Sequence, residues 1–191
     1  ITSLSIALAG GLILSVWIIK DQSNAAFTDV NAGFDAVLGA RSSKLQLVLN
    51  SIFHVEASPG NVAWEDYEDI RKHPGVASAI PIAVGDNYRG FRLIGVTPEL
   101  FTETQYREGS KYALEPNGRW MDPSRREAVV GGFAAAQLGL KVGDTFHPYH
   151  GLIFDEEKEH AETYVVVGIM KLSNTPSDRV IWIPLAGLQK M

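Results

Sequence analysis

His147, His150 and His160 carry the most distinctive chemistry in this 191-residue sequence. The first two form His-x-x-His, and the third closes a stretch that also holds Asp155, Glu156, Glu157 and Glu159. Neutral imidazoles completed by a carboxylate or water are a donor set for tetrahedral zinc, so these three histidines are the candidate metal ligands. The same composition also suits an exposed polar hairpin kept soluble by its negative charge, and the spacing permits zinc without demanding it. His54 and His73 stand at the ends of elements and read as surface or capping residues.

Other chemistries find little support. There is no G-x-x-x-x-G-K-S/T phosphate loop, no G-x-S-x-G and no H-E-x-x-H. The Gly131-Gly132 pair lacks the spacing of a dinucleotide loop and reads as a turn from strand to helix. With no Cys, thiol nucleophiles, Cys-ligated zinc and iron–sulfur clusters are excluded. A formal net charge of −5 argues against a nucleic-acid binder, which needs a basic face to replace phosphate counterions. The sequence therefore points to a protein that is not an enzyme, with no catalytic residues to assign.

The elements that must position these residues divide sharply into two solvents. Ile1 to Ile19 carry no charge, and every charged side chain lies from Lys20 onward. Nineteen helical residues rise about 28 Å, close to the roughly 30 Å hydrocarbon layer of a bilayer. Trp17 lies where an indole prefers the headgroups, and Lys20 with Asp21 marks the exit into water. Residues 1–19 are therefore expected to form a transmembrane helix. A cleavable signal peptide, with Ser23 and Ala25 near its cleavage site, competes with this reading, but the apolar run exceeds the usual h-region of roughly 7–15 residues. A buried core helix would show one polar face.

Phe27, Val30 and Phe34 continue the helical spacing, which predicts a stalk over residues 20–34 ended near Gly33. Residues 35–191 then form a folded domain beyond the stalk. Its 46% hydrophobic residues against 20% charged can build a core and exclude disorder. A short strand is expected over Asp35–Ala40, an amphipathic helix through Leu45, Val48, Leu49, Ile52 and Phe53, and a helix capped by Asn61 carrying Trp64, Tyr67 and Ile70. Alternation from Val76 to Val84, turn residues at Gly85–Gly90 and a strand at Phe91–Val96 predict a hairpin. Thr102–Asp122 gives no clear element, although Gly118, Arg119 and Trp120 suggest an ordered loop. Farther on come a strand at Glu127–Gly131, an Ala-rich helix closed by Gly139, a strand ending near Phe146, strong strands at Thr163–Leu172 and Val180–Pro184, and a terminal helix from Leu185. Short helices among strands predict an α+β class, a mixed α/β ectodomain with two subdomains.

Three ordered stretches resemble a known family. Glu127–Phe146 (EAVVGGFAAAQLGLKVGDTF), His73–Phe101, ending in a G-V-x-P-x-x-F step, and Tyr164–Leu185 resemble the extracytoplasmic core domain of FtsX/MacB-type ABC transporter permeases. The apolar helix before them is similar to the first transmembrane helix of such permeases. The resemblance implies a fragment of a longer permease in a bacterial inner membrane, its domain facing the periplasm or extracellular side. It also implies a cytoplasmic ABC ATPase subunit as partner, a permease homodimer or heterodimer, contact with membrane lipid, and no nucleic-acid partner. Export, lipoprotein or lipid extraction, and activation of an envelope partner are the roles it brings. The alternative is a membrane-anchored or secreted binding module, metal-binding through the histidines, with no transporter attached.

Overall fold

A computed structural model describes residues 2–29, 31–151 and 161–188. Helix α1 (Thr2–Asp29) is 28 residues long. Its Thr2–Ser23 portion is long and apolar enough to cross a membrane, and none of that stretch is buried against the rest of the protein. The helix runs on past Lys20 to Asp29, and a turn at Asn31–Gly33 lies within the 20–34 range expected for the stalk. Ala32 and Gly33 both take positive φ there, at 51° and 82°.

Two short helices come next, α2 (Lys44–Ser51) and α3 (Trp64–Arg71). Residues 35–40 form no strand. That expectation fails because a strand needs a partner edge, and alternation in a six-residue stretch does not supply one. Helix α3 is preceded by Ala63 rather than capped by Asn61.

The core is a six-stranded mixed sheet. Strands β1 (Ile82–Tyr88) and β2 (Phe91–Val96) make an antiparallel hairpin. After α4 (Glu99–Thr102), a small separate hairpin, β3 (Gln105–Arg107) and β4 (Ser110–Lys111), occupies the region that gave no clear signal. Then come β5 (Glu127–Val130), α5 (Gly132–Leu138), β6 (Thr145–Phe146), β7 (Tyr164–Ile169), a 3-10 turn (Pro176–Arg179), β8 (Ile181–Pro184) and α6 (Leu185–Leu188). The spatial order is β1-β2-β8-β5-β7-β6. Pairs β2–β8 and β5–β7 are parallel, and the other three are antiparallel.

Both faces of this sheet are covered, which is why its central strands read as continuous apolar runs. Side-chain parity sorts them. Leu93, Ala128, Val130, Val166, Ile181 and Ile183 point to one core with α5, while Ile94, Val96, Val129, Val167 and Trp182 point to the other with α4. On the second face, Phe101 stacks on Trp120 at 4.5 Å and meets Trp182 edge-on at 5.8 Å. Such pairs add about 0.5–1.5 kcal/mol each beyond the area they bury.

The first hairpin differs from expectation in its register. Strand β1 starts six residues later than the alternation begins and runs through Gly85, Asp86 and Asn87, with the turn confined to Arg89 and Gly90. Asn87 explains the shift. It is fully buried, exchanges backbone hydrogen bonds with Tyr149 at 3.0 and 2.8 Å, and donates from Nδ2 to the Gly151 carbonyl at 2.8 Å. Its Oδ1 accepts the Gly90 N–H that shapes the turn.

Candidate functional site

Three places in the described fold come first as candidate sites. The first is the junction below α1. Phe34 packs against the core face that holds Phe101 and Trp182. Gly33, at φ 82°, lies so close to the Gln105 main-chain carbonyl that no Cβ could fit between them. The chain leaving α1 is thus seated on β3 by a glycine that both the backbone angle and the close approach require.

The second place is the histidine-bearing loop. Strand β6 delivers His147 half-buried and His150 exposed, and the Tyr149–Asn87 bridge fastens the loop to β1. His150 Nδ1 lies 3.2 Å from the Oδ1 of Asp86, a largely buried carboxylate. His160 and the acidic run Asp155 to Glu159 fall outside the described residues. Among the described residues no group of three or more His, Asp or Glu side chains converges on a metal-sized site.

The third place is one that sequence reasoning missed. His54, expected at the surface, is buried, with its ring edge-on to Trp182 at 5.5 Å. Its φ of 57° lies in the left-handed region, where His, Asn and Asp are enriched among non-glycine residues. Burial is the main cause that lowers its pKa from 6.5 to about 4. A hydrogen bond with the Asn50 main chain raises it and the Arg92 charge lowers it further. His73, in contrast, does cap a turn, with Nδ1 accepting the Gly75 N–H at 3.1 Å. No local signal separates the two histidines, because only the fold brings Trp182 to His54.

Two polar clusters complete the inventory, and both serve structure. Glu127 accepts two hydrogen bonds from Arg119, at 2.6 and 2.5 Å, and one from the Asp122 N–H at 2.9 Å. Asp178 is buried and accepts from the Ser173 and Asn174 N–H groups and the Ser173 hydroxyl, at 2.8–3.1 Å. Beside it Tyr112 and Ser177 share a hydrogen bond of 2.8 Å between their hydroxyls. These bonds tie the connection from β7 to β8 back onto itself, as a structural knot.

The family model of the MacB-like periplasmic core domain matches residues 1–191. The chain belongs to that family. As a MacB-like core domain it is an extracytoplasmic domain of an ABC-transporter permease, and its apolar α1 agrees with attachment to a membrane. No curated protein sequence matches it. Among solved structures it is similar to the extracellular domain of the noncanonic ABC-type transporter YknZ from Gram-positive bacteria, at 14% identity and TM-score 0.46. That match covers 81% of this chain and 73% of the other. In this chain Gly33 and Phe34 lie where the apolar helix meets the folded domain.

Proposed function

We propose that this MacB-like domain is a non-catalytic mechanical element. ATP is hydrolysed by a separate cytoplasmic ABC ATPase subunit, and movement of α1 enters the outer domain through Gly33 and Phe34. In this reading the working unit is a permease homodimer or heterodimer in a bacterial inner membrane. Its output is export, lipoprotein or lipid extraction, or activation of an envelope partner. The observation that carries it is the seating of the post-α1 turn on β3 and the core, since a displacement of the helix is transmitted only where the backbone is fastened. The segment after that turn exposes Leu38, Leu45, Val55, Val62 and Trp64, which supports association with another protein surface.

The test uses the permease reconstituted with its ATPase in lipid vesicles. A Gly33→Ala substitution should leave ATP hydrolysis within about twofold while abolishing ATP-dependent transport or partner activation. Unchanged output would sink the coupling role. Saturable ATP turnover by this chain alone would remove the non-catalytic reading.

Zinc on His147, His150 and His160 is a second reading, favoured by the Asp86–His150 contact. A carboxylate accepting from one imidazole nitrogen orients the ring, the way metal-binding histidines are commonly held. Bound zinc would stiffen the loop or let the domain sense metal. Calorimetric titration with zinc should give tight binding that is lost in a His150→Ala, His160→Ala double variant. Equal weak binding by both proteins would reduce the loop to a polar surface.

A further inference from the structure

The turn after α2 meets the sheet at Arg92 and Trp182, and His54 is at its centre. Arg92 on β2 donates from Nη2 to the Val55 carbonyl at 3.1 Å, and Asn50 on α2 donates from Nδ2 to the Glu56 carbonyl at 2.8 Å. Between these two clamps the imidazole inserts against Trp182 of β8 with its Nδ1 buried and without a hydrogen-bond partner. A buried nitrogen with no partner is tolerable as a lone pair in apolar surroundings. As an N–H of an imidazolium it would hold an unsatisfied donor and a full charge away from water.

The surroundings offer that charge one main-chain hydrogen bond, which favours the charged ring but is outweighed by burial. From α2 the ring meets the Asn50 main chain, from β8 the uncharged indole of Trp182, and from β2 the guanidinium of Arg92, which repels it. Glu56, on the same turn, interacts with Arg92. An imidazolium is attracted to an indole face, but desolvation outweighs this, consistent with the pKa of about 4.

We propose that His54 is an acid-released latch: neutral, it locks the turn after α2 onto β8, and protonated, it leaves Trp182 and frees residues 52–56 from the sheet. The seated ring binds a proton less readily than the free one, so protons favour release. The docked state is at full strength above about pH 6.5, weakens roughly tenfold per pH unit below it, and stops weakening near pH 4. The device sits on the apolar segment between the membrane helix and the sheet. Its consequence for transport rests on the extracytoplasmic placement, where external acid would reach it; the latch itself does not.

Hydrogen exchange on the full chain in detergent micelles reads the docking equilibrium directly. The amides of Ile52, Phe53 and Val55 are bonded to Val48 and Leu49 carbonyls and report it. After correction for intrinsic exchange, their protection should fall about 30-fold from pH 7.5 to pH 5.0, while Val129 and Val130 in central β5 change less than threefold. His54→Asn suits the left-handed backbone and cannot titrate in this range, and it should give weaker but pH-independent protection. His54→Phe keeps a ring and should be equally flat. Flat protection in the unmodified chain, or the same slope in a folded variant, would overturn the proposal. Nuclear magnetic resonance titration of the His54 ring decides it without any variant: a midpoint below pH 5 is expected, and one near 6.5 would refute the latch.

Discussion

Glu127 shows how a single carboxylate can anchor a long irregular segment. It begins β5 with little solvent exposure and receives both Arg119 and the Asp122 N–H, which binds the loop before it to the sheet. The Arg119 hydrogen bonds hold its carboxyl below the ordinary carboxylate range, against an opposing push from burial. A depressed folded-state pKa adds stability that is fully present above the unfolded value of about 4.5 and is lost as pH falls through the folded one. Glu127→Gln should therefore melt at a lower temperature than the unmodified chain at pH 7, with the gap closing progressively below about pH 4.5. Arg119→Ala should be more damaging than Glu127→Gln at pH 7, because it leaves the mostly buried carboxylate charged with only the Asp122 N–H and a distant Arg125, 3.9 Å away, to compensate. Melting curves of the three proteins at pH 7 and pH 4 test the order and the convergence.

Between elements, close backbone approaches set the geometry. A Cβ on Gly131 would come within about 2.5 Å of the Asp178 main chain, at the point where β5 turns into α5 and meets the 3-10 turn. Gly131→Ala should cost about 1–3 kcal/mol through overpacking against rigid backbone. Asp178→Ala should cost a similar amount, about 1–3 kcal/mol, by stranding the Ser173 and Asn174 donors. Chemical denaturation of both variants should show lower midpoints with unchanged slopes. A Gly131→Ala protein as stable as the parent would mean that the 3-10 turn yields, and that β5 and β8 are not locked through it.

At the scale of the molecule, an apolar helix with none of its membrane-length stretch buried joins a domain whose core lies on two faces of one sheet. Removing residues 2–23 should abolish flotation with lipid vesicles while leaving the far-ultraviolet circular dichroism of the sheet domain intact. Protein extracted from membranes should keep those residues by mass spectrometry, and loss of mass corresponding to cleavage near Ser23–Ala25 would favour the signal-peptide alternative instead.

Local physics determined much of this protein from sequence alone. Uncharged residues 1–19 could only suit an apolar solvent or a core. Phe91–Val96 reads as a strand because it is a strand bounded by turn residues, and Gly139 closes α5 at φ 69° because a left-handed cap favours glycine. The order of the Glu127–Phe146 and Tyr164–Leu185 segments likewise made the MacB-like resemblance legible. Tertiary structure decided the rest. Asn87 reads as a turn residue, yet it pairs with Arg92 across the hairpin and with Tyr149, 62 positions on. His54 reads as a surface residue because it is a polar residue at the end of an amphipathic helix, and it meets Trp182 only in the folded sheet, where β8 lies beside β2. The principal misses of the sequence reading share that cause. A polar residue's burial depends on contacts distant in sequence, and those exist only once the sheet has closed around them.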